Sequence, residues 1–358
     1  MSTPVHVIPR RGVETARYLH AAPTVAALFY PVALVAFYSG GRMVHDASTW
    51  ETWLSGWIVT LGGAILAYGV PAISFWIIHV LGREPAPSRA QIRARRLAHL
   101  AFASPPLFTA VGVILYLLHS GTDYIVWALF WIPISLAAII GPDVRPVAAS
   151  GPESRTGPPW LRIAHGYSAL AILVIFLAPH IANHLTAIWS TEFHKAVMNI
   201  LRLIYRASLI QTALVGLFLF QITGGMALLW RKIATPNGFI GSLQTASGAY
   251  LAAFVTSHLM AVFVLGRWAM QIDTNWDFAT GAPTGLMGDP WNVRLVPHYS
   301  LAVFLLFSHL ACGLRAVLLS HDVAEKGAKG IARTVIALGG IAALVIISAM
   351  LGLHAVAR

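Results

Sequence analysis

Charge is scarce in this chain. Lys, Arg, Asp and Glu make up 10% of its 358 residues, where soluble domains carry about 25%. A chain this long has ample room for polar surface, so the deficit calls for a solvent other than water. Cysteine is nearly absent: Cys312 stands alone inside an apolar run. That excludes a disulfide framework, a Cys-x-x-Cys redox motif and a set of iron–sulfur ligands. No glycine-rich phosphate cradle follows a strand pattern, so no nucleotide or flavin fold is encoded. Redox chemistry, if any, must use a cofactor held between helices.

What is abundant is apolar length. Hydrophobic residues make up 57% of the chain and the mean hydropathy is +0.71. Runs near 20 residues match a hydrocarbon core of roughly 30 Å at ~1.5 Å of rise per residue. They predict about nine transmembrane helices, near 22–41, 54–82, 98–119, 123–141, 160–187, 207–230, 241–266, 297–319 and 331–355. The expected fold is an all-α, polytopic bundle. Arg10, Arg11 and Arg17 flank the first run, which lacks a clear small-residue cleavage site and reads as a retained anchor rather than a signal peptide.

The net charge of +11 suits nucleic acid at first sight, but its distribution does not. Arg83, Arg89, Arg93, Arg95 and Arg96 fall between the second and third runs. Arg145, Arg155 and Arg162 fall between the fourth and fifth, Arg231 and Lys232 after the sixth, and Lys326, Lys329 and Arg333 after the eighth. Alternate loops are basic, as the positive-inside rule expects of cytoplasmic loops, with the N-terminus inside and the C-terminus outside. The opposite side carries Asp273, Asp277 and Asp289, with Lys195, Arg202 and Arg206 as its few basic groups. The partner implied by this charge is a lipid bilayer, with no nucleic acid.

Two blocks divide the chain. Residues 1–141 hold four runs, a polar Pro/Gly stretch over 142–159 reads as a cytoplasmic linker, and residues 160–358 hold five more. Arg96 and His99 echo Arg162 and His165 in context, too thinly to define a repeat. Residues 191–205 put Phe193, Val197, Ile200 and Ile204 on one helical face, the pattern of an interfacial helix on the outer side. Residues 269–296 form a long outer loop rich in Trp, Asp, Gly and Pro, which reads as a functional loop or as a cap over the bundle.

Ionisable side chains at membrane depth are costly and face the bundle interior. The second block holds His180 and His184 in the fifth run, His258 in the seventh and His309 in the eighth. A lone intramembrane histidine ordinarily serves as a helix–helix hydrogen bond. Depth separates these four. His180 lies about 20 and His258 about 17 residues along an outward-running helix, at a similar level in the outer half. Two neutral imidazoles at one level on facing helices can supply both axial nitrogens to a haem iron. His309 lies nearer the inner half, where the sixth run offers Gln221, a poor axial ligand beside imidazole. Gly224, Gly225, Gly248 and Gly313 let a flat macrocycle or another helix approach.

These residues carry a resemblance. Leu161-Arg162-Ile163-Ala164-His165, followed by His180-Ile181-Ala182-Asn183-His184, resembles the first helix of the five-helix cytochrome b membrane anchor of succinate dehydrogenase and fumarate reductase, especially the di-haem type. Leu243-Gln244-Thr245-Ala246-Ser247-Gly248 with Ser257-His258 is similar to its third helix, and Ser308-His309-Leu310-Ala311-Cys312-Gly313 to its fourth. The resemblance implies His180 and His258 as axial ligands of haem b, with His309 the survivor of a second pair whose partner position holds Gln221. One haem is therefore implied rather than two. It places His184 and His165 around the haem or near a bound quinone, and Arg315 at a propionate or snorkelling to the inner surface. It also implies a bacterial-type inner membrane, flavoprotein and iron–sulfur partner subunits, and electron transfer with quinone.

The match covers roughly 200 residues, and the first block has no counterpart in that family. His79, His99 and His119 of that block read as structural. A second reading is therefore an accessory or assembly subunit of a larger membrane complex that kept the fold without full haem chemistry. A third is a transporter, suggested by Pro71 and Pro105-Pro106 as helix breaks but opposed by the lack of an acidic residue at mid-depth.

Overall fold

Long uncharged stretches of Leu, Ile, Val and Ala have one economical way to satisfy their backbone in lipid, the α-helix. The computed structural model of the chain describes residues 10–140 and 158–356, with side chains from residue 18 onward. Most of the expected linker, with Arg145 and Arg155, lies outside the described residues, as do the side chains of Arg10, Arg11 and Arg17.

Helices α1 (Arg10–Leu28) and α2 (Tyr30–His45) meet at a 46° bend, and α4 (Arg89–Phe102) and α5 (Ser104–Leu117) at 62°. Proline sets both bends. Pro31 sits in the first turn of α2, and Pro105 and Pro106 in that of α5, where a missing N–H costs nothing. Pro71 behaves differently from expectation: α3 runs unbroken over Trp50–Gly82. α6 spans Asp123–Ile140 and completes the first block.

The second block contains α7 (Pro159–Thr186), α9 (Ser208–Lys232), α10 (Phe239–Ala269), α12 (Leu295–Ser320) and α13 (Glu325–Met350). Between them lie α8 (Thr191–Tyr205) and the short α11 (Trp276–Thr280). Seven helices are long and apolar enough to cross a membrane, and the two bent pairs bring the spans to nine among the described residues. The chain is an all-α, multi-pass membrane protein.

The two blocks share their interior. One apolar cluster joins Tyr30, Phe108 and Trp127 to Trp276, Val296 and Ile346, and another joins Ile78 and Phe102 to Tyr250 and Leu305. Polar contacts cross the same boundary. Tyr68 Oη lies 2.6 Å from Ser300 Oγ, and Arg95 Nη1 donates to the carbonyls of Ile233 (2.7 Å) and Thr235 (2.8 Å) at the end of α9. Arg294 and Asp123, both buried, pair at 2.8 Å.

Within the second block each long helix packs chiefly on its ring neighbours. The order is α7, α9, α10, α12 and α13, and α13 closes onto the outer end of α7. α7 and α10 make no extended contact with each other. They approach through side chains instead.

On the outer side, α8 is capped by Ser190 Oγ, which accepts from Phe193 N at 3.1 Å. It turns Thr191, His194 and Met198 inward and leaves Phe193, Ile200 and Ile204 about half exposed or more, as an interfacial helix does. The loop after α10 is ordered as a cap. Lys195 pairs with Asp277 (2.8 Å), and Arg202 and Arg206 both reach Asp273. Lys195, Arg202 and Arg206 are thus tethers of this loop.

Candidate functional site

Pro179 has no N–H for the carbonyl four residues back, and α7 answers with a π-helical turn over Leu173–Leu177 just before it. His180 follows at once. Its ring stacks on Phe176 (centres 4.7 Å, 21° between planes), and its Nε2 lies 3.2 Å from Nε2 of His184, one turn along. α10 carries a matching feature: His258 stands two residues before a π-helical stretch, Met260–Ala269, and stacks on Phe254 (5.5 Å, 11°).

The rings of His180 and His258 approach one another from α7 and α10 in an edge-to-face arrangement, with centres 6.4 Å apart and planes at 64°. With metal–imidazole bonds of about 2.0 Å and roughly 1.1 Å from nitrogen to ring centre, two rings on opposite faces of one iron stand roughly 6 Å apart. The spacing fits. Among the described residues His258 has no hydrogen-bond partner for either nitrogen, while ligation through Nε2 of His180 would exchange its contact with His184. Among the described residues no three His, Cys, Asp or Glu side chains converge as a metal site. Two axial donors without equatorial ones suit a metal whose other ligands come from a macrocycle.

The outer level contains two histidines that sequence reasoning passed over. His194 on α8 packs 5.3 Å from the His184 ring and 4.5 Å from Trp276, with its Nε2 3.1 Å from Nδ2 of Asn183. Burial, followed by the charges of Arg202 and Lys195, pushes its pKa down to about 4, so it is neutral. His298, in the first turn of α12, is 2% exposed and lies between Phe254 (4.7 Å) and Tyr299 (5.0 Å). The signal for both was local. His194 occupies the inward face of the helix whose outward face is apolar, and His298 enters its span at the outer level of His258.

At the inner level, Ser247 Oγ donates to the carbonyl of Leu243 (2.6 Å) and lies 3.1 Å from His309 Nδ1. Gln221 is engaged elsewhere; its Nε2 donates to the backbone carbonyl of His165 at 3.0 Å. Gly225 and Gly248 make room for these rings, since a Cβ would stand 3.1 Å from His165 Cε1 and 3.2 Å from His309 Cε1. Gly224 faces Leu161, and Gly313 has open space.

The remaining candidates are accounted for by ordinary contacts. His99 donates from Nδ1 to the Arg95 carbonyl at 2.7 Å, and His79 lies edge-on to Phe239. His119 takes a left-handed conformation just past the end of α5. Cys312 Sγ lies 3.7 Å from the Ile240 carbonyl. Arg315 pairs with Glu325 at 3.4 Å across the loop from α12 to α13.

Beside His258, away from His180, a cavity of about 670 Å³ opens under the outer cap. Its walls come from α5, α10, the start of α12 and the loop between them.

Fold and site together define a multi-pass helical membrane protein in which the rings of His180 and His258 approach from two helices. Comparison with protein families, with curated proteins and with solved structures returned no match.

Proposed function

We propose that this protein is a membrane cytochrome b subunit that passes electrons between a respiratory partner and a lipid-soluble quinone. His180 and His258 are the axial ligands. The observation that carries the reading is the 6.4 Å separation of their ring centres across two helices that make no extended contact. Bound there, haem b supplies one-electron chemistry. The chain supplies two neutral donors, aromatic stacking by Phe176 and Phe254 that holds each ring, and an apolar enclosure that tunes the potential. His184 and His194 extend the polar network outward. The resemblance of the second block supports flavoprotein and iron–sulfur partners on the basic inner face, in a bacterial-type inner membrane.

The test is the optical spectrum of the protein purified after haem-replete expression. Reduced-minus-oxidised bands of a low-spin b haem are expected, at about one haem per chain, and both His180→Ala and His258→Ala should abolish them. A featureless wild-type spectrum overturns the reading. It would favour an accessory subunit that kept the fold, for which one observation already speaks: Nε2 of His180 is satisfied by His184 without a metal. Stable co-purification with a larger haem-free complex is the signature of that second reading.

A further inference from the structure

One wall of the cavity beside His258 belongs to the first block, outside the five helices that carry the resemblance. We infer that it is the binding site for the head group of a lipid-soluble quinone or quinol, and that α5 is built into that site. This rests on the cytochrome reading above and adds a location and a wall to it.

Size comes first. At about 670 Å³ the cavity falls within the roughly 300–1,000 Å³ of small-molecule sites. Thr109 and Val113 of α5 and Ala261 of α10 line it, together with His258, His298 and Tyr299. His298 is the informative group. It is 2% exposed, its Nδ1 is buried without a partner, and neither nitrogen has a hydrogen bond among the described residues. The Tyr299 hydroxyl likewise has no partner among the described residues. Buried polar groups are costly unless hydrogen-bonded. A ring bearing oxygens at both ends, entering this space, meets an imidazole and a phenol that nothing else in the described chain satisfies.

The lining is mixed in character. Tyr116, Met270 and Ile272 bring exposed apolar surface to it, and Asp273 and Asp289 bring carboxylates, Asp273 already engaged by Arg202 and Arg206. Apolar and polar groups around one space suit an amphipath with an isoprenoid tail and a polar head. His258 belongs to both places. One side of its environment is the His180 ring at 6.4 Å and another is the cavity, so a seated head group lies beside the proposed iron ligand.

Photolabelling tests this. The full chain in lipid nanodiscs is irradiated with a short-chain azidoquinone, and adducts are mapped by peptide mass spectrometry, with decylquinone as competitor. Competable adducts are expected on residues 109–116 of α5 and around 298–299 of α12. Ala261→Phe, which fills the cavity, should weaken labelling by at least about tenfold, and His298→Gln should weaken it while leaving adducts on the same peptides. Where Ala261→Phe does not fold, Val113→Trp closes the space from α5. Adducts confined to the lipid-facing surfaces of α7 and α9, or labelling unchanged in the filled variants, overturn the site. The two levels separate cleanly. A haem spectrum with labelling elsewhere defeats the cavity and spares the cytochrome reading, whereas the expected labelling without any haem does the reverse.

Discussion

A histidine inside a membrane protein is an ambiguous letter, and its meaning here depends on what each nitrogen touches. His309 and His99 are both buried imidazoles held through Nδ1, one beside a serine hydroxyl and the other donating to a carbonyl one turn back. His194 yields a prediction at this scale. It is held neutral by burial, with a folded pKa of about 4 against 6.5 in an unfolded chain. Between those values the unfolded state takes up a proton that the folded state refuses, so stability is lost as pH falls from 6.5 towards 4 and changes little beyond. The loss is on the order of 3 kcal/mol at most. Hydrogen exchange of residues 191–205 should quicken across that window, and His194→Phe should remove the dependence. Depth along the runs singled out His180 and His258 together, and their ring centres lie 6.4 Å apart. It could not orient Gln221, whose amide turned to a backbone carbonyl, nor mark His298, which becomes informative only once a cavity is seen beside it.

Helices, at the next scale, were legible wherever hydropathy alone decides. Nine apolar runs correspond to seven helices long enough to span and two bent pairs among the described residues, and Pro105-Pro106 marked a real bend. Pro71 marked none, because a single lost hydrogen bond inside the long α3 is bridged by the turns on either side. What hydropathy cannot express is how closely two helices approach. α2 and α3 form a hairpin seated on glycines: a Cβ on Gly63 would lie 2.3 Å from Phe37 N, and one on Gly56 would lie 2.7 Å from Val44 N. Both obstacles are backbone, which cannot swing aside as a side chain can. Gly63→Ala should therefore push the helices apart at a cost of roughly 1–3 kcal/mol, seen as a lower melting temperature in detergent. Gly62, one position round the helix, has nothing within 4 Å of a Cβ, and Gly62→Ala should be tolerated. Equal effects of the two substitutions would count against the close-packed hairpin.

For the molecule as a whole, the boundary between four spans and five is visible in the sequence, but the packing across it is not. Apolar periodicity does not tell which faces meet. One ion pair discloses the junction. Arg294, 2% exposed, donates from Nη2 to Asp123 at 2.8 Å, and its guanidinium lies over Phe108 (4.4 Å) and Trp291 (4.7 Å). Space for it is made by Gly112, whose Cβ would meet Nη1. The partners come from α6 of the first block and the entry to α12 of the second, 171 residues apart in the chain. Forming such a pair gains little over apolar packing, because both charges lose their water; breaking it leaves one charge buried without a counter-ion. Arg294→Met should therefore cost about 3–5 kcal/mol, and adding Asp123→Asn should recover much of that loss. The measurement is thermal unfolding of the purified chain in detergent, with haem absorbance followed in parallel. Since Trp291 and Leu295 flank Arg294 and line the cavity under the outer cap, the single variant should also loosen quinone labelling while the His180–His258 level stays intact. A single variant as stable as the parent would mean that the two blocks are joined by their apolar contacts alone.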